Sequence, residues 1–214
     1  MKRRTLDLLF SIGGLGIAAL LLIAGLVLSS NANFANTYVH DQLAQQQITF
    51  KTADTLTAEE RKAQCLIDYA GQKLTTGKQA ECYANEFIGL HLKSIAGGKT
   101  YAQIGDVQAD LRTQITAAQT AKDTAKVTDL QKQLTDTTAA RETVFKGETL
   151  RGLLLTSFGF SEFGTKAAQA ATVAYTGAGL MLLMALAGLL HGWRTPTTQA
   201  FAAPEPVRDP APVR

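Results

Sequence analysis

The sequence predicts an all-α membrane protein in which two transmembrane helices flank an extracytoplasmic helical domain with a helical hairpin and one disulfide. Three observations lead to this fold class. Two long runs contain no charged residue, all five prolines lie at position 196 or later, and both cysteines lie between the two runs. Because proline interrupts helices and is common in turns, its absence from the first 195 residues argues against a turn-rich β protein.

The two uncharged runs are long enough to cross a bilayer. The first, residues 8–30, covers roughly 34 Å as a helix, and a hydrocarbon core is about 30 Å thick. The second, residues 172–190, lies within a predicted transmembrane helix over residues 171–192. A soluble protein could bury such helices only in a core larger than the rest of this chain could form.

The basic residues at the flanks predict the orientation of both spans. Lys2, Arg3 and Arg4 precede the first run, and Arg194 follows the second. By the positive-inside rule, residues 1–7 and the Pro-rich tail 193–214 are cytoplasmic, and residues 31–170 are extracytoplasmic. We therefore expect a two-span protein of the cell membrane with a disordered tail.

A cleaved signal peptide is the alternative interpretation of the first run. Residues 2–4 form a basic n-region, and residues 30–32 form a small-x-small triplet that a peptidase could accept. However, the apolar run is much longer than the roughly 7–15 residues of a signal peptide. The length favours an uncleaved anchor.

Capping boxes divide residues 31–149 into predicted helices. They lie at residues 57–60, 76–79 and 100–103. The first helix is expected to end near Gly71 and the second at Gly97 and Gly98. The third and fourth helices form a hairpin around a turn between residues 121 and 126, and the fourth carries Val127, Leu130, Leu134 and Phe145.

Cys65 and Cys82 are the only cysteines, and the predicted topology places both outside the cytoplasm. In an oxidising compartment a disulfide between two consecutive helices is the expected state. A metal pair or a redox couple is the alternative. It is not favoured, because the spacing of the two cysteines matches no common ligand motif.

The residues between the hairpin and the second span form a predicted amphipathic membrane-proximal segment, residues 150–170. Its predicted contact residues for a partner or the membrane are Leu154, Phe158, Phe160 and Phe163. Leucine and aromatic side chains at this depth fit an outer headgroup region. They could instead face another membrane protein or pack beneath the helical domain.

Small residues at helical spacing predict where the two spans pack. These residues are Gly14, Ala18, Gly25, Ala174 and Ala178. Small side chains four residues apart let helix backbones approach closely in lipid. The alternative is that glycine and alanine are simply common in membrane helices.

The chain offers no recognisable set of catalytic, cofactor-binding or metal-binding residues. His40, His91 and His191 lie far apart in sequence and belong to no local metal motif. The net charge of +3 is too small for a basic nucleic-acid module. We therefore expect no enzymatic activity, no cofactor, no metal and no nucleic-acid partner.

Five stretches resemble a known family. They are Val39–Phe50, Tyr69–Ala80, Phe87–Leu92, Ala96–Tyr101 and Phe145–Leu155. Together with the two spans they resemble an actinobacterial family of two-span membrane proteins without an assigned function, some members of which carry the label aromatic-ring-opening dioxygenase. The resemblance implies the two-span topology and supplies no catalytic residue for this chain.

These observations favour a non-enzymatic accessory or scaffold subunit of a larger cell-envelope complex, such as a respiratory or transport assembly. The expected partners are an integral membrane complex or further copies of the chain, together with the lipid bilayer. An extracytoplasmic sensor, or a module that binds a small ligand or the cell wall, is the alternative. An enzyme would need a cluster around His40 and His91 that only folding could assemble.

Overall fold

The computed structural model describes residues 3–196, and over this range the chain is helical and forms no strand. Its α-helices are α1 Arg3–Gln45, α2 Gln64–Asp68, α3 Gly77–Cys82, α4 Gly89–Ser94, α5 Tyr101–Thr120 and α6 Thr124–Arg194. The described residues divide into two compact units, one of residues 3–32 with 166–196 and one of residues 33–165. The predicted all-α class is confirmed.

The first unit contains the apolar stretches of α1 and α6. Among the described residues, these two helices are long and apolar enough to cross a membrane, judged by length and composition. Small side chains such as Ala18 and Ala178 are buried between them, whereas large ones such as Leu20 and Leu183 are exposed. This is the reverse of a soluble helix pair, which buries its large apolar side chains.

All six helices contribute buried side chains to the core of the second unit. The exposed face of α2 and the far end of the hairpin lie outside this core. Leu66, Leu74 and Ile104 are its most completely buried apolar side chains. Residues 48–51 run antiparallel to residues 71–74: Phe50 N–H donates to the Gln72 carbonyl, and Leu74 N–H donates to the Ile48 carbonyl, both at 2.9 Å.

The first predicted helix is interrupted. The capping box at Thr57 and Glu60 forms, but it opens only a 3-10 turn, Glu60–Lys62. Ala63 is extended, and α2 then begins at Gln64. The second predicted helix is continuous from Gly77 to Ser94, although its middle, Tyr83–Ile88, is π-helical. It ends in a turn in which Ala96, Gly97 and Gly98 all have positive φ.

The predicted hairpin is present, with α5 and α6 joined by residues 121–123. Its buried stripe on α6 differs from the prediction by one position, because Val144 is buried and Phe145 is exposed. Helix α6 then continues without a break through residues 150 and 171, where we expected element boundaries. The predicted amphipathic segment is therefore a middle part of one 71-residue helix. The expected tail from residue 197 onward lies outside the described residues.

Candidate functional site

The predicted disulfide is confirmed. Cys65 at the start of α2 and Cys82 at the end of α3 are bonded, with their Cα atoms 6.1 Å apart. Cys82 is buried in the core beside Leu66 and Leu74. The bond thus joins two short helices that have too few residues to be stable alone.

The predicted helix-packing residues all lie buried in the first unit: Gly14, Ala18, Gly25, Ala174 and Ala178. A Cβ atom on Gly25 would lie 2.6 Å from the Tyr175 ring, and one on Gly14 would lie 3.4 Å from the Ala185 side chain. Near Gly25, the hydroxyls of Ser29 and Tyr175 are 3.1 Å apart and form a hydrogen bond. A side chain at Gly25 would therefore displace the Tyr175 ring or push the helices apart, whereas a methyl group at Gly14 would make ordinary van der Waals contact with Ala185.

The four residues predicted to contact a partner or membrane have different environments in the second unit. Leu154 is a core residue, only 3% exposed, so it is not available to a partner. Phe158 is covered by Lys78, whose Nζ lies 4.5 Å from the ring centroid. Phe163 is 76% exposed, and Phe160 is partly exposed beside Phe34 and Tyr38.

Lys78 is held over Phe158 by two acidic groups. Its Nζ lies 3.4 Å from carboxylate oxygens of both Glu81 and Glu162. Desolvation alone would lower the pKa of Lys78, but these two carboxylates outweigh it and raise the pKa above its ordinary value. Lys78 therefore remains charged and shields Phe158.

An apolar cleft of the second unit lies between the end of α1 and the middle of α6. It has a volume of about 410 Å³, within the usual range for ligand clefts of roughly 300–1,000 Å³. Its lining contains no charged residue; the lining residues are Tyr38, Val39, Gln42, Leu43, Gln46, Ile48, Leu150, Leu153, Leu154, Thr156, Ser157 and Phe160.

The α1 side of this cleft is not among the residues predicted from the sequence. Helix α1 extends to Gln45, well beyond the first span, and Ala35, Val39 and Leu43 are buried at intervals of four residues. This period is the ordinary signal of a helix with one buried face. The period is visible in the sequence, but it lies beyond residue 30, where the first span is predicted to end.

Glu60 is the buried centre of an ionic cluster that the sequence does not predict. The Glu60 side chain is 1% exposed, and its carboxylate accepts hydrogen bonds from Lys51 Nζ at 2.8 Å and Thr57 N–H at 2.7 Å. His91 Nε2 lies 3.5 Å from the same carboxylate. The sequence revealed the Thr57–Glu60 capping box, but Lys51 and His91 reach Glu60 only through the fold.

The histidines do not assemble into a site in the described residues. In the second unit, His40 pairs with its neighbour Asp41, and His91 faces Glu60. In the first unit, His191 lies 3.9 Å from Asp7. Over residues 3–196, no group of three or more His, Cys, Asp or Glu side chains could hold a metal ion.

The chain matches no protein-family model, no curated protein and no solved structure.

Proposed function

We propose that this protein is a non-enzymatic accessory or scaffold subunit of a larger membrane complex of the cell envelope. In this proposal residues 8–30 and 171–192 span the membrane, both termini are cytoplasmic, and residues 31–170 are extracytoplasmic. The inverted burial in the first unit supports the spans, because large apolar side chains are exposed there and small ones are buried.

One observation supports the proposal that the chain binds a partner in the membrane complex. The second unit exposes an aromatic surface, which we define as Phe34, Tyr38, Phe160 and Phe163. Phe34 is 62% exposed and Phe163 is 76% exposed, and the rings of Phe34 and Tyr38 both contact Phe160. Aromatic side chains that remain exposed together favour a contact with another protein or with the membrane interface.

The test is purification of the tagged full-length chain from its native membrane in mild detergent, followed by quantitative mass spectrometry. We expect a stoichiometric membrane complex with the wild-type chain and a large loss of its subunits with Phe160→Glu and Phe163→Glu. Phe145→Glu, on the same helix and also exposed, is the matched control and should retain them. A lone chain, or equal recovery with all variants, would contradict the proposal.

The topology has its own test. A reporter that works only in the cytoplasm should be active when it is fused after Thr195. A reporter that works only outside the cytoplasm should be active when it is inserted into the loop at residues 121–123. The opposite pattern would contradict the proposed orientation. If alkaline carbonate extracts the chain from the membrane, the proposal of two membrane spans is wrong.

A second function, an extracytoplasmic ligand-binding module, is favoured by the uncharged cleft between α1 and α6. The two functions are compatible, because a subunit can bind a ligand without catalysing a reaction.

A further inference from the structure

A polar cleft of the second unit lies between α4 and α6, and we name it the α4–α6 cleft. Its volume is about 350 Å³, within the usual range of roughly 300–1,000 Å³ for ligand clefts. Its lining comes from the π-helical residues 83–88, from α4, from the turn at residues 98–100 and from α6. A π-helical turn is rare and occurs frequently at functional sites.

Two lysines line this cleft from either side of the turn that ends α4. Lys93 lies in α4 and Lys99 follows the turn. The turn folds the chain back so closely that a Cβ on Gly98 would lie 3.3 Å from the Lys93 carbonyl oxygen. Among residues 3–196, neither lysine forms a salt bridge. Two positive charges that line one cleft attract an anion.

Arg151 of α6 is the third cationic residue of the lining, and its guanidinium is only partly paired. Its Nη1 donates to Glu148 Oε2 and its Nη2 donates to Asn85 Oδ1, both at 3.2 Å. Its Nε is buried and has no hydrogen-bond partner within the described part of the chain. A Cβ on Gly89, which also lines the cleft, would lie 3.7 Å from this Nε, so the missing side chain leaves space beside it. Since a buried donor without an acceptor is unfavourable, an oxygen atom at this edge would stabilise the guanidinium.

The remaining charges of the lining leave the cleft positive. Its acidic residues are Glu86 and Glu148, and Glu148 is already paired with Arg151. Three cationic and two acidic side chains give a formal charge of +1. Thr100, which also lines the cleft, is the N-cap of α5, so the positive end of that helix dipole adds to the charge. One anionic group would neutralise the cleft, whereas a cation would be repelled.

We propose that the α4–α6 cleft binds a small oxyanion, the phosphate or carboxylate group of a small molecule, through Lys93, Lys99 and Arg151. The unpaired lysines, the unsatisfied Nε–H and the end of α5 all favour an oxygen-bearing anion. This inference adds a ligand site to the second unit and depends neither on the proposed partner complex nor on the proposed spans.

Isothermal titration calorimetry of the purified full-length chain in mild detergent tests the proposal. Sodium phosphate and sodium acetate are titrated separately at constant ionic strength, and circular dichroism checks the folding of every variant. We expect saturable binding of one equivalent. Tighter binding of phosphate or of acetate shows which of the two oxyanions the cleft prefers, and no saturable binding of either one overturns the proposal.

Three substitutions and a control locate the site. Lys93→Gln and Lys99→Gln should each weaken binding about fivefold, because each removes a charge-assisted hydrogen bond. Glu86→Gln should tighten binding, because it removes a negative charge that repels the anion. Lys146→Gln is the matched control, since Lys146 is exposed on α6 and does not line the cleft.

The control separates a site from a general effect of charge. If Lys146→Gln weakens binding as much as Lys93→Gln and Lys99→Gln, the net charge of the chain explains the signal and the proposal is overturned. Weaker binding by Glu86→Gln also overturns it, because the carboxylate then contributes to a site that is not selective for anions.

Discussion

Lys51 Nζ lies 2.8 Å from the carboxylate of Glu60, whose side chain is almost completely buried. The same ammonium lies 5.3 Å from the centroid of the Phe87 ring, which packs at a tilted angle against the His91 ring. Glu60 thereby connects three parts of the second unit: the extended residues before the first capping box, the capping box itself and α4. Removing its charge should loosen all three.

Glu60→Gln should therefore destabilise the second unit by about 2 kcal/mol. The two carboxylate oxygens accept from Lys51 Nζ and Thr57 N–H, whereas glutamine has one acceptor oxygen and no charge, so one of these hydrogen bonds and the ion pair with Lys51 are lost. Glu59→Gln is the matched control. Its carboxylate pairs with Lys62 on the surface, where such pairs contribute roughly 0–1 kcal/mol. Chemical denaturation followed by circular dichroism measures both. Equal effects of the two substitutions would show that the Glu60 cluster is not stabilising.

The same cluster predicts a dependence on pH. Burial alone would raise the pKa of Glu60, but hydrogen bonds from Lys51 and Thr57 outweigh burial and hold the pKa below its ordinary value of 4.5. Stability from a carboxyl with a lowered pKa is present above the unfolded-state value and is lost as pH falls through the folded-state value. The wild type should therefore lose more stability than Glu60→Gln as pH falls below about 4.5. Parallel pH profiles would contradict this.

Reduction of the Cys65–Cys82 disulfide should destabilise the second unit. The two cysteines are 17 residues apart, and a closed loop of that size contributes roughly 3 kcal/mol by reducing the entropy of the unfolded chain. The double variant Cys65→Ser with Cys82→Ser should show the same loss without reductant. The denaturation midpoint of the wild type with and without dithiothreitol provides the comparison. An unchanged midpoint would mean that the loop is constrained by packing alone.

Gly25→Leu should weaken the packing of the two apolar helices, because the position of its Cβ is already occupied by the Tyr175 ring. Displacing that ring also breaks its hydrogen bond to Ser29. We expect a loss of about 1–3 kcal/mol, typical of overpacking. Gly16→Leu is the control on the same helix, since nothing lies within 4 Å of its Cβ position. Thermal unfolding in detergent should separate the two variants, and equal melting temperatures would refute the close approach.

Gly77→Ala should similarly destabilise the second unit, because a Cβ there would overlap the Ser161 side chain on α6. The expected loss is again about 1–3 kcal/mol, since Ser161 belongs to a long helix that cannot shift easily. Gly159→Ala, two positions away from Ser161 and with open space around it, should be neutral or stabilising. Hydrogen exchange across α3 reports the difference; unchanged protection with Gly77→Ala would show that the contact tolerates a methyl group.

Several elements were predictable because their signals are local. The capping boxes at Thr76–Gln79 and Thr100–Gln103 mark the starts of α3 and α5, as the hydrogen bonds of both boxes show. Gly97 and Gly98 mark the end of α4, where the backbone adopts positive φ. The break at Ala63 was not predictable, since the pairing of residues 48–51 with 71–74 involves residues distant in sequence.

The sequence by itself determined the helical class, the two long apolar helices and the cysteine pair, because each depends on composition, period or count. Only the tertiary structure decided that Leu154 is core, that Phe158 is covered by Lys78 and that Phe163 remains exposed. All three lie in one apolar stretch of α6, and their neighbours come from distant parts of the chain. The period of a helix shows which residues share a face, whereas the elements packed against that face determine what each residue contacts.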